Sequence, residues 1–238
     1  MQIADPSEST GQIGQTFVDI RDFVASTKWD GIDRIGCYGG AVSWLTTYFE
    51  APDSTYTRCV GRWWLIAAIA RVMQPGCQAD YALVFRGSPG SGKSSALRAL
   101  FEPWFLENIG NLKTNRASGM VTDRWCVEID LDGHPKNALL KMFISRRSDM
   151  YRPPYDRRPR SYPRQCVLAC TTNKPFNNVM GNRRFWPVHC GSIHVKQLRD
   201  DRAQIWAQAL ALWQDGSPWW PAGGDDLIGC RKTDGPST

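Results

Sequence analysis

The sequence predicts an α/β fold in which a parallel sheet is flanked by helices and preceded by an N-terminal helical lobe. Three short apolar runs, at residues 81–85, 125–129 and 166–172, have the continuous hydrophobicity that strands covered on both faces require. A helical stretch at residues 94–101 separates the first two runs. Strands that alternate with helices favour a parallel sheet, so we place the three runs in one sheet.

The helical lobe is predicted for residues 18–78, where apolar residues recur at helical spacing. Residues 58–73 contain no Gly or Pro after Gly61, which suits a mostly buried helix. Residues 1–17 are polar and aperiodic, so we expect a flexible lead-in.

Residues 79–221 form the predicted core. Its last helix is expected at residues 195–213, where Leu198 and Ile205 have helical spacing, and it ends at Asp215-Gly216. The final segment, residues 222–238, is rich in Gly, Asp, Pro, Ser and Thr, and we expect a flexible tail.

Composition favours a folded protein with an anionic partner. Hydrophobic residues make up 42% and charged residues 22% of the 238 residues, which is typical of globular domains. The formal net charge of +6 favours nucleic acid or phosphates, although many basic proteins bind neither. The eight cysteines include no CxxC pair, which argues against a zinc site. With no leader segment and no long apolar run, we expect a cytoplasmic protein with reduced thiols and no membrane contact.

Residues 87–94 match the phosphate-binding motif GxxxxGK[ST], between a predicted strand and a predicted helix. The glycines let backbone N–H groups wrap a phosphate, Lys93 can reach the β- and γ-phosphates, and Ser94 can take a Mg²⁺ coordination position. A turn that only joins strand to helix would not require Lys and Ser there. The motif predicts a nucleotide site, but it does not by itself separate motor ATPases from kinases or GTPases. The predicted nucleotide contacts are Gly87, Ser88, Pro89, Gly90, Ser91, Gly92, Lys93, Ser94 and Ser95.

Three acidic residues lie at the end of the second predicted strand. Hydrolysis needs a carboxylate that holds Mg²⁺ and one that polarises water, and we expect both at the end of the strand beside the phosphate-loop strand. Alternation places Glu128, Asp130 and Asp132 on one face. Glu128 and Asp130 are the catalytic candidates, and Asp130 and Asp132, with Ser94, the metal candidates. The sequence does not fix which acid has which role, and a solvated strand end is the alternative.

The third apolar run ends in Thr171-Thr172-Asn173, at the edge where ligands bind in open α/β sheets. Asn173 there fits a sensor that orients water against the γ-phosphate. An Asn that only caps a turn is the competing interpretation.

These motifs together resemble the virulence-associated protein E family, which is similar to superfamily 3 helicases of the AAA+ type. The resemblance runs from about Phe23 to Pro221. Its specific strings, besides the phosphate loop, lie at residues 28–31, 56–62, 75–77, 151–155, 163–165, 171–173 and 181–188. The resemblance implies an ATP- and Mg²⁺-dependent motor that assembles as a ring around DNA and serves replication of a phage or mobile element. It also implies that Arg183 or Arg184 is an arginine finger for the nucleotide of a neighbouring subunit.

The resemblance further implies a DNA-contacting hairpin in the basic segment before the third run. Arg supplies phosphate contacts and Tyr supplies stacking faces, a combination suited to single strands. A solvated basic loop, or arginines that pair with acids of another subunit, is the alternative. The predicted nucleic-acid contacts are Lys141, Arg152, Tyr155, Arg157, Arg158 and Arg160.

Two departures from the family pattern leave alternatives open. The acidic strand lacks the second glutamate that the family usually carries, and the chain ends soon after Pro221, so a truncated or minimal form is one interpretation. A nucleotide-gated DNA-binding module with weak or no hydrolysis is therefore the first rival to a motor. A small-molecule kinase, with Arg183 and Arg184 as lid arginines, is the second.

Overall fold

The computed structural model describes residues 19–36, 43–110, 112, 115–133, 138–153, 156–174 and 184–221. The helices are α1 (Ile20–Ala25), α2 (Trp44–Phe49), α3 (Thr55–Met73), α4 (Lys93–Phe101), α5 (Asn115–Met120), α6 (Ala138–Ile144) and α7 (Val195–Gln214). The strands are β1 (Ala82–Arg86), β2 (Phe105–Leu106), β3 (Cys126–Asp130), β4 (Ser148–Tyr151), β5 (Arg160–Pro163), β6 (Val167–Thr172) and β7 (Phe185–His189). Among the described helices, none is both long and apolar enough to cross a membrane.

The predicted parallel sheet is confirmed, with the strand order β2-β3-β6-β1-β7 and every pair parallel. The expectation that the acidic strand β3 lies beside β1 is wrong, because β6 pairs with both and lies between them. The carboxyl ends of β1, β6 and β3 therefore stand side by side. Asn173, which follows β6, is placed between the phosphate loop and the acidic strand.

Each face of the sheet is covered by its own hydrophobic core. Leu83 and Phe85 of β1 face a core shared with α3, α4 and α7, whereas Ala82 and Val84 face a second core shared with α5 and α6. This alternation along a strand that is buried on both faces is typical of parallel sheets.

The helices of the predicted N-terminal lobe pack on the sheet itself. The N-cap of α3 is Ser54, whose hydroxyl accepts the backbone N–H of Thr57 at 3.0 Å. From α3, the indole N–H of Trp64 donates to the carbonyl oxygen of Leu168 in β6 at 3.0 Å. Gly61 lets α2 approach α3, since a Cβ there would lie 2.7 Å from Leu45. The N-terminal helices thus share one core with the strands that carry the phosphate loop.

A two-stranded antiparallel hairpin, β4–β5, stands apart from the main sheet. It lies in the segment for which the family resemblance implies a hairpin.

Candidate nucleotide site and basic hairpin

The loop that matches the phosphate-binding motif connects the carboxyl end of β1 to α4. Gly90 and Gly92 have φ angles of +73° and +96°, in the left-handed region that favours glycine. Beside the loop, at the carboxyl edge of the sheet, lies a cavity of about 370 Å³. Of the predicted nucleotide contacts, Gly90, Ser91, Gly92, Lys93, Ser94 and Ser95 line this cavity, and Gly87, Ser88 and Pro89 form the start of the loop.

The Lys93 ammonium lies at the centre of the loop and is buried. Its Nζ donates to the carbonyl oxygens of Gly87 at 3.0 Å and Ser88 at 2.9 Å, and to Oδ1 of Asn173 at 2.9 Å. The structure therefore brings Lys93 and Asn173, two of the predicted catalytic residues, into direct contact across the cavity.

Glu128 is the acid that meets the loop. Its Oε1 accepts the hydroxyl of Ser94 at 2.7 Å and that of Thr171 at 2.7 Å. Its Oε2 is buried and has no hydrogen-bond partner among the described residues. Burial raises the pKa of Glu128 above its usual range, and the two hydroxyl bonds oppose that rise.

The other two acids of the predicted set are placed differently. β3 ends at Asp130, which lines the cavity. Asp132 lies past the strand end, where Oδ1 accepts the Thr172 hydroxyl at 2.8 Å and Oδ2 accepts the backbone N–H of Asn173 at 2.8 Å. The structure thus brings Glu128 to Ser94, whereas the Asp132 carboxylate binds the last residue of β6 and Asn173, which follows it.

Four further residues line the cavity without having been assigned to it from the sequence: Glu107, Asn108, Thr171 and Thr172. Glu107 and Asn108 follow the two-residue strand β2, and Glu107 pairs with Arg98 of α4. Thr171 stands in register with Asp130, one strand away from the acids. The Thr171-Thr172-Asn173 string could have indicated both threonines from the sequence. Glu107 and Asn108 follow a two-residue strand, which has no periodic pattern from which to predict them.

The residues of the cavity fit a Mg²⁺ nucleotide. The unpartnered Oε2 of Glu128 lies on the carboxylate that already accepts the Ser94 hydroxyl, and these two side chains would hold the cation. Within the described ranges there is no group of three His, Cys, Asp or Glu side chains suited to a metal. Mg²⁺ is usually held by one or two carboxylates and by the phosphates of the substrate, so the arrangement suits it.

A family model described as the virulence-associated protein E-like domain matches residues 24–227. The chain belongs to this family. A comparison with curated proteins finds no match.

Three solved structures similar to this virulence-associated protein E-like domain have low identity to it. The apo C-terminal region of NrS-1 is 16% identical over 68% of this chain and 42% of that chain, with a TM-score of 0.49. The SCCmec type IV Cch active helicase is 14% identical over 66% and 32%, with a TM-score of 0.38. The JCV helicase is 15% identical over 77% and 59%, with a TM-score of 0.32. The chain thus spans less than two thirds of each of these proteins.

Arg184 of this domain lies at the opposite edge of the sheet from the phosphate loop. It directly precedes β7, and its carbonyl oxygen accepts the backbone N–H of Ala82, the first residue of β1, at 2.8 Å. The loop follows the other end of β1. The structure therefore does not bring Arg184 to the cavity of its own chain, and Arg183 lies outside the described residues.

The hairpin β4–β5 presents most of the predicted nucleic-acid contacts. Arg152, Arg157, Arg158 and Arg160 are exposed, and Arg160 pairs with Asp156 at 2.9 Å. Lys141 lies on α6, the helix before the hairpin, and Tyr155 lies outside the described residues.

A buried ion pair anchors the hairpin to the body of the domain. Arg164, only 3% exposed, donates from Nε and Nη2 to the two carboxylate oxygens of Asp149, both at 2.7 Å. Its Nη1 donates to the carbonyl oxygen of Phe143, and its guanidinium lies 4.5 Å from the centre of that ring. Arg164 lies in the family string at residues 163–165, but no role was predicted for it from the sequence.

Proposed function

We propose that this domain hydrolyses ATP with Mg²⁺ and couples hydrolysis to movement on DNA, as one subunit of a ring that serves replication of a phage or mobile element. The observation that carries this proposal is the convergence of Lys93, Ser94, Glu128 and Asn173 on one cavity at the carboxyl edge of the sheet. They come from three segments, and each has a side chain suited to one task in phosphoryl transfer.

The roles follow from the contacts. Ser94 and Glu128 would hold the cation, which would neutralise charge on the phosphate oxygens. Lys93 gives up the Gly87 and Ser88 carbonyls and donates to the β- and γ-phosphates. Asn173, fixed through Asp132, orients the attacking water, and Asp130 at the cavity wall polarises it.

Arg184 acts in trans in this proposal. A residue at the amino-terminal edge of the sheet cannot serve its own loop, but it can face the loop of a neighbour in a head-to-tail ring. The same position argues against the kinase alternative, in which Arg184 would close over its own nucleotide.

DNA binding is assigned to the hairpin. Arg152, Arg157, Arg158 and Arg160 are exposed on a hairpin that the Arg164–Asp149 pair fixes to the domain. Guanidinium groups on such a support suit the phosphates of a single strand, together with Lys141 and Tyr155 from the same region. We also propose residues 18–78 as a helical lobe and 79–221 as the ATPase core; the lead-in at residues 1–17 and the tail at residues 222–238 lie outside the described residues.

A nucleotide-gated DNA-binding module is the second candidate, favoured by the acids. Glu128 accepts the Ser94 hydroxyl, and Ile129, which follows it, is apolar and buried. Asp132 accepts hydrogen bonds from Thr172 and Asn173. Asp130 is then the other β3 acid that lines the described cavity. If Asp130 does not activate water, binding would persist with little turnover.

The test is phosphate release with and without single-stranded DNA. We expect turnover that DNA stimulates and that Lys93→Ala abolishes, while Lys28→Ala, which removes the same charge from an exposed site, leaves it unchanged. Equal hydrolysis in the Lys93→Ala variant would remove the basis of the proposal. DNA binding that depends on ATP, without turnover, would favour the second candidate.

A further inference from the structure

The junction between β7 and α7 lies directly against the phosphate loop. A Cβ on Gly87 would lie 3.0 Å from the carbonyl oxygen of Cys190, and a Cβ on Gly92 would lie 3.5 Å from Val195. Residues 190–195 therefore form the wall of the loop on the β7 side. The opposite side, toward β6 and β3, carries Asn173 and Glu128.

This arrangement gives a bound triphosphate a direction, if the proposed function holds. Its γ end lies toward Asn173 and Glu128, the residues that meet Lys93 and Ser94. The chain of phosphates then leads away from β6, past the loop, toward β7. The nucleoside would accordingly lie over the β7–α7 junction.

Two polar side chains, those of Glu50 and His194, contact each other at that junction. Nε2 of His194 lies 3.2 Å from Oε1 of Glu50, the residue that follows α2. Oε2 of Glu50 accepts the backbone N–H of Ser192 at 3.0 Å. The side chains of Glu50 and His194 are 48% and 45% exposed, so a ligand can reach both.

The backbone around the pair is fixed. Gly191 N–H donates to the carbonyl oxygen of Phe49 at 2.9 Å, and His194 N–H donates to that of Tyr48 at 2.9 Å. A Cβ on Gly191 would lie 2.7 Å from Oε2 of Glu50, so the Glu50 side chain lies directly against this glycine. The pair is therefore placed by two segments bonded together beside the loop.

We propose that Glu50 and His194 form the base subsite and that the base is adenine. The Glu50 carboxylate is a hydrogen-bond acceptor that suits the 6-amino group of adenine, and the His194 imidazole offers a flat face for stacking. Guanine would have to turn its N1–H and 2-amino donors, instead of its 6-oxygen, toward the same carboxylate, so GTP is the competing ligand. This inference rests on the proposed ATP site and adds its selectivity for the base.

The test compares three ligands by calorimetry in the presence of Mg²⁺: ATP, purine riboside triphosphate, which lacks the 6-amino group, and inorganic tripolyphosphate. We expect ATP to bind about tenfold more tightly than purine riboside triphosphate, because one charge-assisted hydrogen bond is lost. Glu50→Gln should reduce that ratio toward one, since its amide oxygen can still accept the Ser192 N–H while the charge is gone. Tripolyphosphate binding should be unchanged in the variant.

A matched control is Asp53→Asn, which removes a nearby exposed carboxylate that pairs with Arg58. It should leave the ATP preference intact. His194→Ala should weaken ATP and purine riboside triphosphate alike. Equal affinity of the wild type for the two nucleotides, a preference for GTP, or an unchanged ratio in Glu50→Gln would overturn the base subsite while tripolyphosphate still binds. Loss of tripolyphosphate binding in the wild type would instead refute the proposed nucleotide site.

Discussion

Mixing two inactive variants tests whether Arg184 serves the nucleotide of a neighbour. β1 and β7 pair in register from Ala82–Phe185 to Arg86–His189, and the phosphate loop begins after Arg86. His189, which pairs with the last residue before the loop, lies five residues after Arg184. At about 3.3 Å per residue, the two residues are about 16 Å apart along the strand. That distance is well beyond the reach of an arginine side chain, so Arg184 can act only on another subunit.

The expected loss is large. Removing an arginine that stabilises the transferred phosphoryl group costs about 10³–10⁵ in kcat, which corresponds to about 4–7 kcal/mol. Arg184→Ala should therefore be almost inactive, with little change in KM, because the contact is made in the transition state. Arg199→Ala, which removes an exposed arginine on α7, should be fully active.

The assay is the steady-state ATPase rate of Arg184→Ala mixed with Lys93→Ala. Each site needs its own Lys93 and a neighbour's Arg184, so a random equimolar ring should recover about a quarter of the wild-type rate. No recovery in an assembled mixture would show that both residues are needed on one chain. Full activity of Arg184→Ala alone would show that the arginine is not used. Either result refutes the reasoning.

Three further outcomes are expected. Glu128→Gln should abolish hydrolysis yet raise the free energy of unfolding of the nucleotide-free protein at neutral pH by on the order of 1 kcal/mol, because a buried charge is removed. Since burial raises the folded-state pKa of Glu128 above its unfolded value, this gain should shrink as pH falls through the folded pKa; urea titrations in which it grows on acidification would contradict us. Replacing Arg157 and Arg158 with Ala should weaken single-stranded DNA binding and reduce its salt slope by about 1.4. Fluorescence anisotropy would measure this, and an unchanged slope would exclude the hairpin as the DNA contact. Arg164→Ala leaves Asp149 buried without its bidentate partner, so chemical denaturation should show a loss of about 3–5 kcal/mol, which a second change, Asp149→Ala, partly restores. A loss below about 1 kcal/mol would argue against the anchor.

The buried strands were predictable because parallel strands covered on both faces are continuous apolar runs. β1, β3 and β6 each lie within about one residue of the predicted run. β7 received no prediction, since Pro187 interrupts its pattern; as the edge strand of the sheet, it tolerates a residue without an N–H. β2 has two residues and α5 has six, too few for a periodic signal.

The site was predictable where a motif fixes local geometry and not where it depends on strand order. The spacing of Lys93 and Ser94 places both at the start of α4, as expected. The sequence could not show that β6 lies between β1 and β3, which is what brings Asn173 to Lys93. Nor could it show that β3 ends at Asp130 and leaves Asp132 to hold the end of β6.

The most direct measurement of the central claim, that residues 87–94 hold a triphosphate through Lys93, is a calorimetric titration of ATP with Mg²⁺. The wild type and the Lys28→Ala control should bind alike. Lys93→Ala should bind at least about a hundredfold more weakly, because the charge-assisted bonds to the phosphates are lost. Equal affinity in all three proteins would contradict the account.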